Sequence, residues 1–146
     1  MSFSNSKFKT AVSRRMAAGV MVAAVAGVPI FAHHAFSSEY DMKKPITVKG
    51  MVTKVEWTNP HTWFYVEGKD ETGKQQNWGF EGAAPSVLIR RGVPKGTIKV
   101  GDMVTIEGFR AKDGSDVASS AYITLPDGKK FRSGVVGGPT DDEVPR

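Results

Sequence analysis

The 146-residue sequence contains no cysteine. That excludes disulfide staples, catalytic thiols and thiolate metal sites, so any stability must come from a hydrophobic core. Histidine is nearly as scarce, with three residues in the whole chain, His33, His34 and His61. There is no long hydrophobic run either. A transmembrane helix needs ~20 apolar residues, and the most apolar stretch, Met16 to Phe31, is shorter and broken by Gly27 and Pro29. The chain also has no Gly-rich phosphate loop, no nucleophile elbow and no His-Glu-x-x-His helix, the short motifs that would announce an enzyme.

The excess of positive charge is uneven. The chain carries 20 basic and 15 acidic residues, and Lys7, Lys9, Arg14 and Arg15 all precede the apolar stretch, where no acid occurs. A basic start, an apolar middle and Ala32 after Ile30 and Phe31 is the order of a cleavable signal peptide spanning residues 1–32. Cleavage would expose His33 and leave a periplasmic or secreted protein with no stable membrane insertion. Ser13-Arg14-Arg15-Met16 leaves twin-arginine export open beside the general route, although Ala17 and Ala18 stand where that motif has bulky apolar residues. With the four leader cations gone, 16 basic residues face 15 acidic ones. The footprint expected of a nucleic-acid binder is then missing.

The remaining 114 residues are enough for one domain. Residues 33–44 read as a polar arm, 45–132 as the folded domain and 133–146 as a disordered tail. Pro45 to Trp57 is rich in β-branched residues, with Ile46, Val48 and Val52 on one parity and Val55 and Trp57 on the other. The switch between Gly50 and Thr53 predicts a β-bulge in a long, bent strand. Asn59-Pro60 breaks the run before a second strand, Thr62 to Glu67. A third strand spans Gln75 to Glu81, where Trp78 and Phe80 share a core-facing side. Pro85 to Gly92 reads as a helix of about two turns, with Val87, Leu88 and Ile89 inward and Arg90 and Arg91 serving its C-terminus. Met103 to Ala111 and Ala118 to Leu125 supply two more strands, and Asp127-Gly128 turns the chain into a short sixth at Lys129 to Arg132. Five main strands with a helix between the third and fourth predict an all-β fold, a small five- to six-stranded barrel like the oligonucleotide/oligosaccharide-binding (OB) type.

These motifs also resemble a known family. His33-His34-Ala35-Phe36, Glu56-Trp57-Thr58-Asn59-Pro60-His61, Arg90-Arg91-Gly92, Gly101-Asp102, Ala111-Lys112-Asp113-Gly114 and Leu125-Pro126-Asp127-Gly128 together are similar to a family of exported bacterial proteins catalogued as a domain of unknown function. The resemblance implies export and a compact β domain, and it lends no catalytic residues.

Two binding readings follow. An N-terminal His33 could present its α-amine and ring nitrogen to one metal, because that amine loses its proton near 7.7 to 8.0 in model compounds. His61 would add a third nitrogen, with His34 as a substitute. This T-shaped set suits Cu(II) in tetragonal nitrogen coordination and looks like a histidine brace. The plainer reading makes His33 and His34 solvated arm residues and His61 a turn residue. In the second binding mode, a hairpin loop at Thr58 to His61 sets Val55 opposite Phe64 and Glu56 opposite Trp63. Val55, Phe64 and Val66 then face the interior, while Glu56, His61, Trp63 and Tyr65 share the outer side. That side is a metal-free surface for a small ligand or a protein partner, unless the helix or arm covers it. Glu56 and Glu81 could be catalytic carboxylates, but both fall at strand positions that read as exposed. The expectation is therefore a non-enzymatic binding domain, with copper the leading ligand.

Overall fold

The computed structural model describes residues 36–135 and 138–139. The expected signal peptide, His33, His34 and most of the C-terminal tail lie outside the described residues. Six strands occur, β1 (Tyr40–Glu56), β2 (Trp63–Asp70), β3 (Gln75–Glu81), β4 (Met103–Ala111), β5 (Val117–Thr124) and β6 (Lys130–Arg132), with one helix, α1 (Pro85–Arg90), between β3 and β4. No described helix is long and apolar enough to cross a membrane.

The sheet order is β3-β2-β1-β4-β5-β6. Neighbours are antiparallel, and β3 additionally pairs in parallel with β5, so five strands return on themselves in a barrel-like ring. Strand β1 is long enough to serve both halves of the ring because it bends. The register shifts between Val52 and Lys54, leaving Thr53 as the bulged residue. Beside it the Val52 amide donates to the Asp102 carbonyl and its carbonyl accepts from the Gly101 amide, which continues the β1–β4 pairing one step past Met51 and Met103. The bulge is the parity switch expected near Gly50 to Thr53.

Inside the ring lies one apolar cluster. Ile46, Val48, Val52, Phe64, Val66, Trp78, Phe80, Ile106 and Ile123 are buried in it, sealed at one end by Leu88 of α1 and by Val93. A second cluster lies on the outer face of β4 and β5, where Phe36 and Tyr40 cover Phe109, Ala121 and Val135. It corrects the sequence reading at both ends of the domain. Residues 36–39 form a helical turn and Tyr40 opens β1, so the inner part of the supposed arm is ordered by its two rings, which lie four residues apart on one side of that turn. At the other end, the Ser133 and Gly134 amides donate to the Ala121 carbonyl and Val135 is buried. These residues belong to the fold rather than to a disordered tail.

One further reading is corrected in α1. A helix of six residues buries only one side, and it buries Leu88, with Val87 partly covered, while Ile89 is 54% exposed. Arg91 also reaches beyond the helix end. Its guanidinium donates to the carbonyls of Gly134, at 2.7 Å, and Arg132, clasping the chain after β6.

Candidate functional site

The connection from β1 to β2 runs from Trp57 to Thr62 and is pinned at its far end. The Thr62 amide donates to Ala83 O and the Gly82 amide to Thr62 O, at 3.2 and 2.7 Å. These reciprocal bonds fasten the loop to the turn that leaves β3, and they carry His61 to the end of β3, where Glu81 sits.

Glu81 is 7% exposed, which corrects its reading as a solvated strand position. Burying a carboxylate is costly unless its oxygens are engaged, and both are. Oε1 meets Nδ1 of His61. Oε2 accepts a 2.6 Å hydrogen bond from the Tyr40 hydroxyl. Burial, reinforced by the hydrogen bond to Glu81 and its charge, pushes the Tyr40 phenol well above its usual range, so it remains a donor at any neutral pH. The result is a chain of contacts, Tyr40 to Glu81 to His61, whose last member is a half-exposed imidazole.

The outer side of the hairpin has the expected register, Val55 opposite Phe64 and Glu56 opposite Trp63. Phe64 and Val66 are fully buried, and Val55 packs against them. On the other side Trp63 and Tyr65 stack, with ring centroids 6.4 Å apart and planes inclined by 23°. They lie over Gly79, where an added Cβ would touch both rings at ordinary contact distance, 3.6 to 3.8 Å. The Tyr65 hydroxyl donates to Glu56 at 3.1 Å, and Lys54 pairs with the same carboxylate at 2.5 Å. Lys54 first and Tyr65 second hold the Glu56 carboxyl below its ordinary range. Glu56, Trp63 and Glu81 are successive partners across β1, β2 and β3, so the aromatic side and the His61 network are adjacent regions of one surface.

Beside that surface is a cavity of about 440 Å³, bounded by Tyr40, Trp63 and the turn from Ala111 to Ser115. Lys112 ties the turn to the N-terminal segment, its amide donating to Glu39 O and its Nζ to Ser37 O. The cavity therefore has an aromatic wall and a rim bearing Glu39, Lys112 and Asp113.

Among the described residues no three His, Asp or Glu side chains form a group that could hold a metal ion. Of the three residues expected as ligands, His61 is in place beside Glu81, and His33 and His34 lie outside the described residues. Sequence reasoning missed Tyr40 altogether. The signal was there in the spacing of Phe36 and Tyr40, which puts two rings on one side of a helical turn.

A family model matches residues 20–120. The chain belongs to the family of unknown function DUF6152. The matched stretch holds all three histidines, Tyr40, Trp63 and Glu81, and it ends within β5. No curated protein and no solved structure matches the chain.

Proposed function

We propose that the protein is an exported, periplasmic copper-binding domain, in which the His33 amine and ring and the His61 ring supply nitrogen ligands. The observation that carries this reading is the contact between His61 Nδ1 and the buried Glu81 carboxylate. Metal-binding imidazoles commonly donate their second ring N–H to a carboxylate, which fixes the tautomer and makes the coordinating nitrogen more basic. With Nδ1 committed to Glu81, Nε2 is the nitrogen available to a metal, and the side chain is 40% exposed. The chain also leads from this network back towards His33. The Tyr40 hydroxyl touches Glu81, the Phe36 ring lies 5.3 Å from the Tyr40 ring, and His33 is three residues before Phe36. Three residues reach at most about 11 Å. An amine and two imidazoles suit Cu(II) better than harder ions that prefer oxygen.

Intact-mass measurement of protein from the periplasm should find a chain that starts at His33. That form should bind Cu(II) more tightly than one with a single extra residue before His33, whose amine has become an amide. His61→Ala should weaken binding too, and so should acid, because protons compete for the same nitrogens. Equal copper affinity in all three proteins would overturn the metal reading. The cavity walled by Trp63 and Tyr40 would then favour the second reading, a metal-free module that holds a small ligand against its aromatic side.

A further inference from the structure

Methionine is among the residue types most often buried, yet the three methionines of the described chain are all exposed, Met42 at 39%, Met51 at 43% and Met103 at 49%. Two of them are placed together. Met51 of β1 and Met103 of β4 are direct partners across an antiparallel pair, and on its other side Met51 is the partner of Glu67 in β2. Residues opposed in this way leave the sheet on the same face with Cβ atoms about 4.5–5.5 Å apart. The face is the outer one, because Val52, Val66 and Val104, the residues next along each strand, are buried. A carboxylate and two thioethers thus stand in one row across three adjacent strands, lining a groove of about 400 Å³.

The packing of the domain does not require this row. Met51 and Met103 belong to neither apolar cluster, and a thioether exposed to water contributes little burial energy. Its distinctive chemistry is that of a soft, uncharged sulfur ligand, and thioethers select Cu(I) among the biological first-row ions. Two sulfurs on flexible side chains can converge on one ion, and Glu67 supplies an adjacent negative charge for a monovalent cation. Lys49 and Lys69 oppose each other one step along the same face. They weigh against multiply charged ions more than against a monovalent one.

We propose that Met51, Met103 and Glu67 form a soft-metal site for Cu(I), separate from the His61 network and independent of whether that network binds Cu(II). The probe is Ag(I), a redox-stable monovalent ion of the same softness, added to protein labelled with ¹³C at the methionine methyl groups. The expected result is that the Met51 and Met103 methyl signals shift together at stoichiometric Ag(I) while Met42 does not, and that His61→Ala leaves these shifts in place. Replacing both methionines, M51L with M103L, conserves apolar volume at exposed positions and should lower Ag(I) affinity by about tenfold or more. Equal affinity in the double variant, or a Met42 shift matching the other two, would overturn the site. Its failure would leave the His61 reading untouched, since that reading is tested with Cu(II) and through the N-terminal amine.

Discussion

At the scale of single residues, two buried carboxylates are held in different ways. Glu81 is engaged by a phenol and an imidazole. Glu81→Gln keeps the shape and removes the charge, so it should weaken Cu(II) binding at His61 by about 10- to 100-fold, the usual effect of losing a carboxylate behind a ligand, while circular dichroism stays unchanged. Unaltered copper affinity in a folded variant would show that Glu81 serves only the fold. Asp70, at the end of β2, is the second case. It accepts hydrogen bonds from the Thr72 hydroxyl and amide and the Lys74 amide, and pairs with Arg110 at 2.7 Å. The Thr72 hydroxyl contributes most and Arg110 next to holding its carboxyl at about 2, down from an ordinary 3.8. A depressed carboxyl stabilises the fold while ionised, so its contribution is complete above the ordinary value and is lost as pH falls through about 2. The melting temperature of the native protein should drop across that interval, and Asp70→Asn should flatten the drop. An identical acid profile in the variant would remove Asp70 from the account.

At the scale of elements, strand positions were most legible where alternation survives, in β1, β2 and the first part of β4, and even the bulge left its mark as a change of parity at Thr53. What could not be read was which outer positions a distant segment covers. Glu81 reads as a solvated strand position, but Tyr40 and His61, both distant in sequence, meet its carboxylate and it is buried. The same limit applies to Val135, which is buried in one cluster with Phe36 and Tyr40, about 100 residues earlier in the chain. Nor does the sequence show how closely two strands approach. Gly50 and Gly68 are partners on β1 and β2. A Cβ on Gly50 would lie 2.3 Å from Glu67 O and 2.5 Å from Gly68 Cα, backbone atoms that cannot move aside alone. Gly73, in the β2–β3 turn, has φ of +84°, and a methyl group there would meet nothing within 4 Å. Gly50→Ala must push β1 away from β2 and should cost about 1–3 kcal/mol or more, whereas Gly73→Ala carries only the left-handed backbone penalty of about 1–2 kcal/mol. Urea unfolding of the two variants should rank Gly50→Ala as the more destabilised, and the reverse order would mean that the strands separate easily at this point.

At the scale of the whole molecule, the ring is closed by its shortest seam. Strands β1 and β4 share eight paired positions, but β3 and β5 share three, Gly79 with Val117, Phe80 with Ala118 and Glu81 with Ser119. The closing pairs join segments about 40 residues apart in the chain, so the seam gains few hydrogen bonds for the loop-closure entropy it must overcome. Glu81 is the last residue of that seam and also the one that holds His61. Opening β3 from β5 would therefore disturb the proposed copper site before it disturbed the centre of the sheet. Local openings of this kind are read by hydrogen exchange, in which weakly held units exchange at free energies below global unfolding. The Gly79 amide, bonded to Asp116 O at 3.0 Å, lies at the start of the seam. It should exchange faster than the β1 amides bonded to β4. Cu(II) bound through His61 stabilises whichever form holds the site together, by mass action, so it should slow exchange in peptides covering 76–82 and 116–120 more than in those covering 46–51 and 103–108. Equal slowing everywhere would mean that the seam opens only with the whole fold, and no slowing at the seam would uncouple Glu81 from the metal.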